Sequence, residues 1–380
     1  MTDRTSSPIL PAAPRHAARR RLAGLVAALL ALALLVPVPA ALGAIYQVTF
    51  YATIGSCAVS GTGPANTTFK VTLKSASGAT KAAQDTTAGA GFGAWSIPCL
   101  ANVAPGDVLI ATKFGVTLRK FTVPAVNPRL DRVANTASGK APKSTWVTVT
   151  AYRCELDGSC NQAKQVMAKA SSTGTWSKSV AATGFDPRGG DRIDVDWGET
   201  SNMDPDTVGY TDQANRIEAT VGSAVVRGYG DPGATVTVSF TTASGAVRGT
   251  GKGKANASTG RFSVTVKSKS GAQVKLASTN KVVGSVASNA KLTVASTLGI
   301  DLSDAANDHV QGHCFAGQPY ALTVDYHATP VTTYGTAAPT TGLVDKTNAS
   351  GQTPMQPGVD VTLLCQTPAG DRLTFVQTVP

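Results

Sequence analysis

One pattern recurs four times along this 380-residue chain and limits what it can fold into: a glycine-bearing stretch, an alternating strand, a glycine before an aromatic, and a second turn. The first copy reads Val59-Ser60-Gly61-Thr62-Gly63-Pro64, Phe69-Lys70-Val71-Thr72-Leu73, Gly93-Ala94-Trp95-Ser96 and Pro105-Gly106-Asp107-Val108. The second offers Ala137-Ser138-Gly139, Trp146-Val147-Thr148-Val149, Gly174-Thr175-Trp176-Ser177 and Gly190-Asp191-Arg192-Ile193. The third has Val226-Arg227-Gly228, Ala234-Thr235-Val236-Thr237-Val238, Gly260-Arg261-Phe262-Ser263 and Gly271-Ala272-Gln273-Val274. A degenerate fourth keeps Val310-Gln311-Gly312, Tyr320-Ala321-Leu322-Thr323-Val324, Ala349-Ser350-Gly351 and Pro357-Gly358-Val359. By subtraction, the opening glycines 61, 139, 228 and 312 lie 78, 89 and 84 positions apart, the length of one small sandwich. The step from opening glycine to aromatic is 34 positions to Trp95, 37 to Trp176 and 34 to Phe262, so the internal layout is kept as well as the period.

Alternation such as Thr235, Thr237 and Ser239 against Val236, Val238 and Phe240 turns one face to an apolar interior and one to water. Gly-Asp and Pro-Gly pairs between such runs supply turn geometry, and the recurring aromatic reads as a plug between two sheets. With aromatics at 6% and charged residues at 15%, the composition suits many short strands and does not support long amphipathic helices.

The order V-x-G-x-x-x-P-G-A-x-V-x-V, then G-x-W/F-S, then G-D-x-I/V, resembles the bacterial immunoglobulin-like repeats of secreted and surface proteins, adhesins among them. The resemblance covers nearly all of the chain beyond residue 44 and is clearest in the third copy; the second lacks the Pro-Gly-Ala turn and the fourth lacks the aromatic. It implies an all-β tandem array of four immunoglobulin-like sandwiches, each closed over its own interior. The expected divisions are 1–44 as leader, 45–125, 126–222, 223–300 and 301–380. Such motifs are structural punctuation and identify an architecture better than an activity.

The first 44 residues read as an export signal: Arg15, Arg19, Arg20 and Arg21, then an apolar stretch from Leu22 to Val36, then small residues, with cleavage expected after Ala40 or Ala44. An uncleaved anchor is the alternative. A secreted or cell-surface protein follows from this reading. In an oxidising compartment the six cysteines are expected as disulfides, and sequential pairing of Cys57 with Cys99, Cys154 with Cys160 and Cys314 with Cys365 keeps each bridge inside one repeat. A zinc reading needs clustered thiolates, and only Cys154 and Cys160 are close.

Charge is sorted along the chain. Residues 45–125 carry six basic against two acidic side chains, 126–223 eleven against twelve, 224–300 ten against one, and 301–380 two against seven. The third stretch therefore predicts a polyanion-binding face of Arg248, Lys252, Lys254, Arg261, Lys267, Lys269 and Lys275, with a cell-envelope polymer or another extracellular polyanion as partner. Attraction to acidic neighbours, or self-association, is the competing use of the same charge, and a solvated face with no specific role is the third. Asp194, Asp196, Glu199, Asp204 and Asp206 crowd the end of the second stretch and form a calcium candidate, although no EF-hand loop is present and no other cofactor is implied.

Motifs for a nucleophile elbow, a P-loop, a zincin or a dinucleotide fold are absent. Beyond the leader only His309, His313 and His327 remain, read as loop residues. The expectation is a non-catalytic structural or adhesive protein. A carbohydrate-binding protein is the alternative, and it needs Trp95, Trp146, Trp176 or Trp197 at the surface.

Overall fold

The computed structural model describes residues 47–380 apart from 182–184, 199–205, 258, 287–289, 295–297, 303, 326–328, 348 and 352–354. The described chain is almost wholly β, with one short 3-10 turn at Ala305–Asn307. No helix among the described residues is long and apolar enough to cross a membrane.

The first seven strands are β1 (Tyr51–Thr53), β2 (Val59–Thr62), β3 (Thr68–Lys74), β4 (Thr80–Thr87), β5 (Ala94–Ile97), β6 (Val108–Lys113) and β7 (Val116–Thr122). Next come β8 (Asn127–Asp131), β9 (Thr136–Lys140), β10 (Trp146–Cys154), β11 (Cys160–Lys169), β12 (Thr175–Ser179), β13 (Arg192–Gly198) and β14 (Thr207–Gln213). A third set is β15 (Arg216–Thr220), β16 (Val225–Tyr229), β17 (Thr235–Thr241), β18 (Val247–Lys254), β19 (Arg261–Thr265), β20 (Lys281–Val286) and β21 (Ala290–Val294). The last is β22 (Gly299–Asp301), β23 (His309–His313), β24 (Pro319–Asp325), β25 (Val331–Thr336), β26 (Leu343–Thr347), β27 (Asp360–Gln366) and β28 (Arg372–Thr378).

Each set pairs in the same order. Its first, second and fifth strands form one layer (β1-β2-β5, for example), and its fourth, third, sixth and seventh form the other (β4-β3-β6-β7). Sequence alternation makes these layers: in β17 Val236, Val238 and Phe240 are buried while Thr235 and Thr237 are exposed.

The sets are joined two by two. β1 runs parallel to β14, with Tyr51 opposite Thr207 and Thr53 opposite Gly209, and β15 runs parallel to β28, with Glu218 opposite Arg372. Two seven-stranded sheets result, β11-β10-β13-β14-β1-β2-β5 and β19-β16-β15-β28-β27-β24-β25. The buried apolar side chains follow the same division: one continuous cluster from Val48 to Ala214 and a second from Ile217 to Val379. Four separate interiors were the expectation from the repeat; the shared sheets merge them, and stacked Phe121 and Trp197, 6.4 Å apart, carry the first interior from one set into the next.

The recurring sequence marks acquire positions. Gly61, Gly139, Gly228 and Gly312 lie within strands β2, β9, β16 and β23 rather than in turns, each opposite the core residue of the fifth strand, Trp95, Trp176, Phe262 or Val344. A Cβ on Gly228 would collide with the Arg216 carbonyl and meet the Phe262 ring at 2.7 Å. The Gly-Asp pairs are buried turn locks: the Ala104 amide donates to Asp107 Oδ2 at 2.8 Å, and the Arg188 amide donates to Asp191 Oδ2 at 2.9 Å. In the third set the equivalent residue is buried Asn280, whose amide donates to the Ala277 carbonyl at 3.0 Å just before β20. Gly271–Val274 lies upstream of that turn, where Gln273 bridges Lys267.

Candidate functional site

Strand β18 positions the core of the predicted basic face. It alternates small inward residues with basic or hydroxyl outward ones: Gly249 and Gly251 are buried, while Arg248, Thr250, Lys252 and Lys254 are exposed. The inward positions have to be small because a Cβ on Gly251 would stand 2.6 Å from both the Thr265 carbonyl and Val264. The strand therefore presses flat on its neighbours and projects its cations outward. Lys252 sits opposite Thr237 and Lys254 opposite Thr235, with no acid in the register. Thr250 bridges exposed Lys267 through paired backbone bonds of 2.8 and 2.9 Å, which brings Lys267 beside this edge. Lys269 and Lys275 follow in the exposed connection to β20. Arg261 is separate from them: it stands on β19, in the other layer, with its guanidinium 5.3 Å from the Tyr229 ring centre.

Asp231 is the one acid in residues 224–300, and it is held by Arg129 at 2.7 Å. Among the described residues no carboxylate lies within 4.0 Å of Arg248, Lys252, Lys254, Arg261, Lys267, Lys269 or Lys275.

Of the calcium candidates, Asp194, Asp196 and Asp206 are described, and Asp206 is turned away from the other two. Asp194 bonds Arg192 at 3.1 Å and accepts the Thr211 hydroxyl at 2.8 Å. Asp196, on the same face of β13, lies beside the Tyr51 hydroxyl; burial pushes its carboxyl up, and the Asp194 charge adds to this. Asp206 is fully buried elsewhere, accepting the Phe50 amide at 2.8 Å and Arg119 Nε at 2.8 Å. Glu199 and Asp204 lie outside the described residues. Among the described residues no three His, Cys, Asp or Glu side chains gather closely enough to hold a metal ion.

The three disulfides join Cys57 to Cys99, Cys154 to Cys160 and Cys314 to Cys365. Trp95, Trp176 and Trp197 are buried core residues. Trp146 is 45% exposed, with Lys169 Nζ 5.8 Å from its ring centre, and alone remains available for the carbohydrate reading. His309 is clasped between Asp345 at 2.6 Å and Asp304 at 3.1 Å, and these two hydrogen bonds raise its pKa. His313 ends β23, and His327 lies outside the described residues.

A cluster that the spacing of residues does not announce joins the two halves. Only buried Ala214 and Asn215 separate β14 from β15. Arg132 donates to the Ala369 carbonyl at 2.7 Å and reaches Asp371 at 3.2 Å, while the Gly189 amide donates to Ala369 at 2.7 Å. Beside the Arg129–Asp231 pair, burial pushes the Asp212 carboxyl up to about 6.

No protein-family model matches the chain, and no curated protein matches it. Among solved structures, a tetra-tandem repeat from the extending region of a large adhesion protein is 14% identical over 88% of this chain and 100% of that one, with a TM-score of 0.18. The BSP domain of a biofilm associated protein is 9% identical over 88% and 96%, at 0.19. The native conformation of E. coli alpha-2-macroglobulin is 11% identical over 88% of this chain and 29% of that one, at 0.18. Likeness this weak assigns no role to the chain.

Proposed function

We propose that the chain is a non-catalytic adhesive or structural protein that acts outside the cell, built of four seven-strand units in two fused pairs, and that its third unit grips an anionic envelope polymer through the outward cations of β18. The observation that carries this reading is the diversion of Asp231 to Arg129, which leaves Arg248, Lys252, Lys254 and Lys267 exposed with no acid of their own stretch to neutralise them. Lysines on an edge strand also discourage edge-to-edge pairing, so exposure alone does not imply binding. That protective role needs only one or two of them. A row of outward cations flanked by hydroxyls instead matches the spaced charges of a polymer backbone.

The test is retention on an immobilised wall polymer or on DNA across a salt gradient, with Lys252, Lys254, Lys267 and Lys269 each changed to Glu. The parent protein is expected to elute with a steep salt dependence, whose log–log slope drops by roughly one unit for each phosphate that a variant no longer neutralises. Retention that ignores the four substitutions overturns the reading.

A further inference from the structure

We infer that the loop end of the first strand set is a membrane-contacting tip, in which Phe92 and Phe114 enter the headgroup–acyl boundary of an anionic lipid bilayer. Both residues are almost fully exposed, at 97% and 94%, and both stand where the local backbone favours something else.

Phe92 precedes Gly93 in the approach to β5. The matching residues of the other three sets, taken from the fifth-strand register, are Thr173, Thr259 and Thr341. Each threonine hydroxyl bonds the residue two positions on: Thr173 to the Thr175 hydroxyl at 3.3 Å, Thr259 to the Arg261 amide at 3.4 Å and Thr341 to the Leu343 amide at 3.2 Å. Phenylalanine gives up that bond and presents an apolar ring to water.

Phe114 occupies the first position of the two-residue turn between β6 and β7, with φ at 51° and Gly115 at 79°. Asn, Asp or Gly suits that position, and a bulky side chain is strained there. Two aromatic residues placed against local preference at one end of one unit point to a role at that end.

The two loops share that end because β2 finishes where β5 begins, with Thr62 opposite Ala94, and the β6–β7 turn closes beside the start of β3, with Lys70 opposite Thr112. The corresponding ends of the other sets are engaged by their neighbours, through Asp206, Asp231 and Asp371. Among the described residues no element packs over Phe92 or Phe114.

The chemistry favours lipid over sugar or a polar protein groove. Phenylalanine carries no hydrogen-bonding group, whereas aromatic hot spots at protein interfaces favour tyrosine and tryptophan. Lys113, 5.5 Å from the Phe114 ring centre, supplies a cation beside the apolar ring, and exposed Val116 extends the apolar area along β7. Apolar rings next to lysine are the composition of interfacial anchors. Lys70 and Asp85 face each other across β3 and β4 and offset one another.

The test uses the full chain and sedimentation with vesicles of phosphatidylcholine alone or mixed with phosphatidylglycerol. Phe92→Ser with Phe114→Ser should lower partitioning on the mixed vesicles by ~10-fold or more. Lys113→Glu should weaken binding to the mixed vesicles and leave the zwitterionic ones unchanged. Phe114→Trp should give fluorescence that brominated acyl chains quench. Changing Lys252, Lys254, Lys267 and Lys269 to Glu should leave that quenching in place, which separates the tip from the basic face.

Parent and variants all carry Leu22–Val36, so equal partitioning of parent and double-Ser protein would assign lipid binding to that segment and overturn the inference. So would loss of quenching in the four-Glu variant. A concentration-dependent oligomer that the two serines abolish would make a second copy, not a bilayer, the occupant.

Discussion

Asp206 Oδ1 accepts the backbone amide of Phe50 at 2.8 Å across 156 residues of sequence, and the bond is repeated in the second half of the chain, where Asp371 Oδ1 accepts the Ile217 amide at 2.9 Å. Each aspartate stands immediately before the strand that runs parallel to the opening strand of its half. Each is fully buried and held by an arginine, Arg119 or Arg132. Asp206→Ala would remove the acceptor of the Phe50 amide and a buried carboxylate that Arg119 bonds, so a loss of about 2 kcal/mol is expected in denaturant unfolding. Asp206→Asn, which can still accept the amide, should lose less. Equal stability of parent and Ala variant would mean that β1 is held by its strand pairing alone.

Acidity should tighten the junction between the halves. Burial pushes both Asp212 and Asp371 up to about 6 from 3.8, against the lowering effects of the Leu130 and Gln213 amides and Arg129 on the first, and of Arg132, the Ile217 amide and Arg216 on the second. The Asp231 charge adds to the rise at Asp212. Both carboxyls bind protons more tightly folded than unfolded, so their contribution is complete below pH 3.8 and is lost as pH rises through about 6. His309, raised by Asp345 and Asp304, adds a further loss above 6.5. Thermal midpoints measured from pH 4 to 7 should fall across this window, and Asp212→Asn with Asp371→Asn should flatten the part below 6.5.

Gly61→Ala places a methyl group against the Thr49 carbonyl and 2.9 Å from the Trp95 ring. Neither neighbour is free to give way: Thr49 is tied to Thr62 through its amide and hydroxyl, at 2.9 and 2.8 Å, and Trp95 Nε1 donates to the Thr62 carbonyl at 2.9 Å. The expected cost is about 3 kcal/mol in thermal or denaturant melts. Gly299→Ala, also within a strand and outside the positive-φ region, whose new methyl group would have nothing within 4 Å, is the control for the substitution without the collision.

Removing the disulfides should rank them by loop length. Cys314–Cys365 closes a separation of 51 residues, and Cys154–Cys160 one of 6. Chain entropy gives about 4 kcal/mol for the first and about 2 for the second. Paired Ser substitutions followed by melting under identical conditions would reverse this order only if the short hairpin bridge guards something besides local chain freedom.

The repeat was legible because turn and core residues recur within one short unit, and the layers follow from local alternation. The parallel joins β1–β14 and β15–β28 were not, since neither partner strand carries a mark of its distant mate. The recurring glycines were visible, but their place inside strands follows from a neighbour's carbonyl that spacing does not show. In the third set Asn280 replaces the Gly-Asp mark, and the sequence pattern points to Gly271 instead. Charge sorting suggested that acids of the second and fourth stretches would meet the basic third. At the junction the polarity runs the other way, with Arg129 and Arg132 of the second set meeting Asp231 and Asp371. The Phe92 substitution was present in the aligned repeats, where three threonines mark the same position, but its meaning needed the exposure.

Because β1 and β14 run parallel, traction that draws Gln47 and Gln213 apart makes the two strands slide along one another, loading their hydrogen bonds together instead of peeling them singly. The 156-residue span between Phe50 and Asp206 then stays shielded from tension until that clasp shears. A tether holding a cell against flow would gain a force threshold from this, set by a handful of backbone bonds.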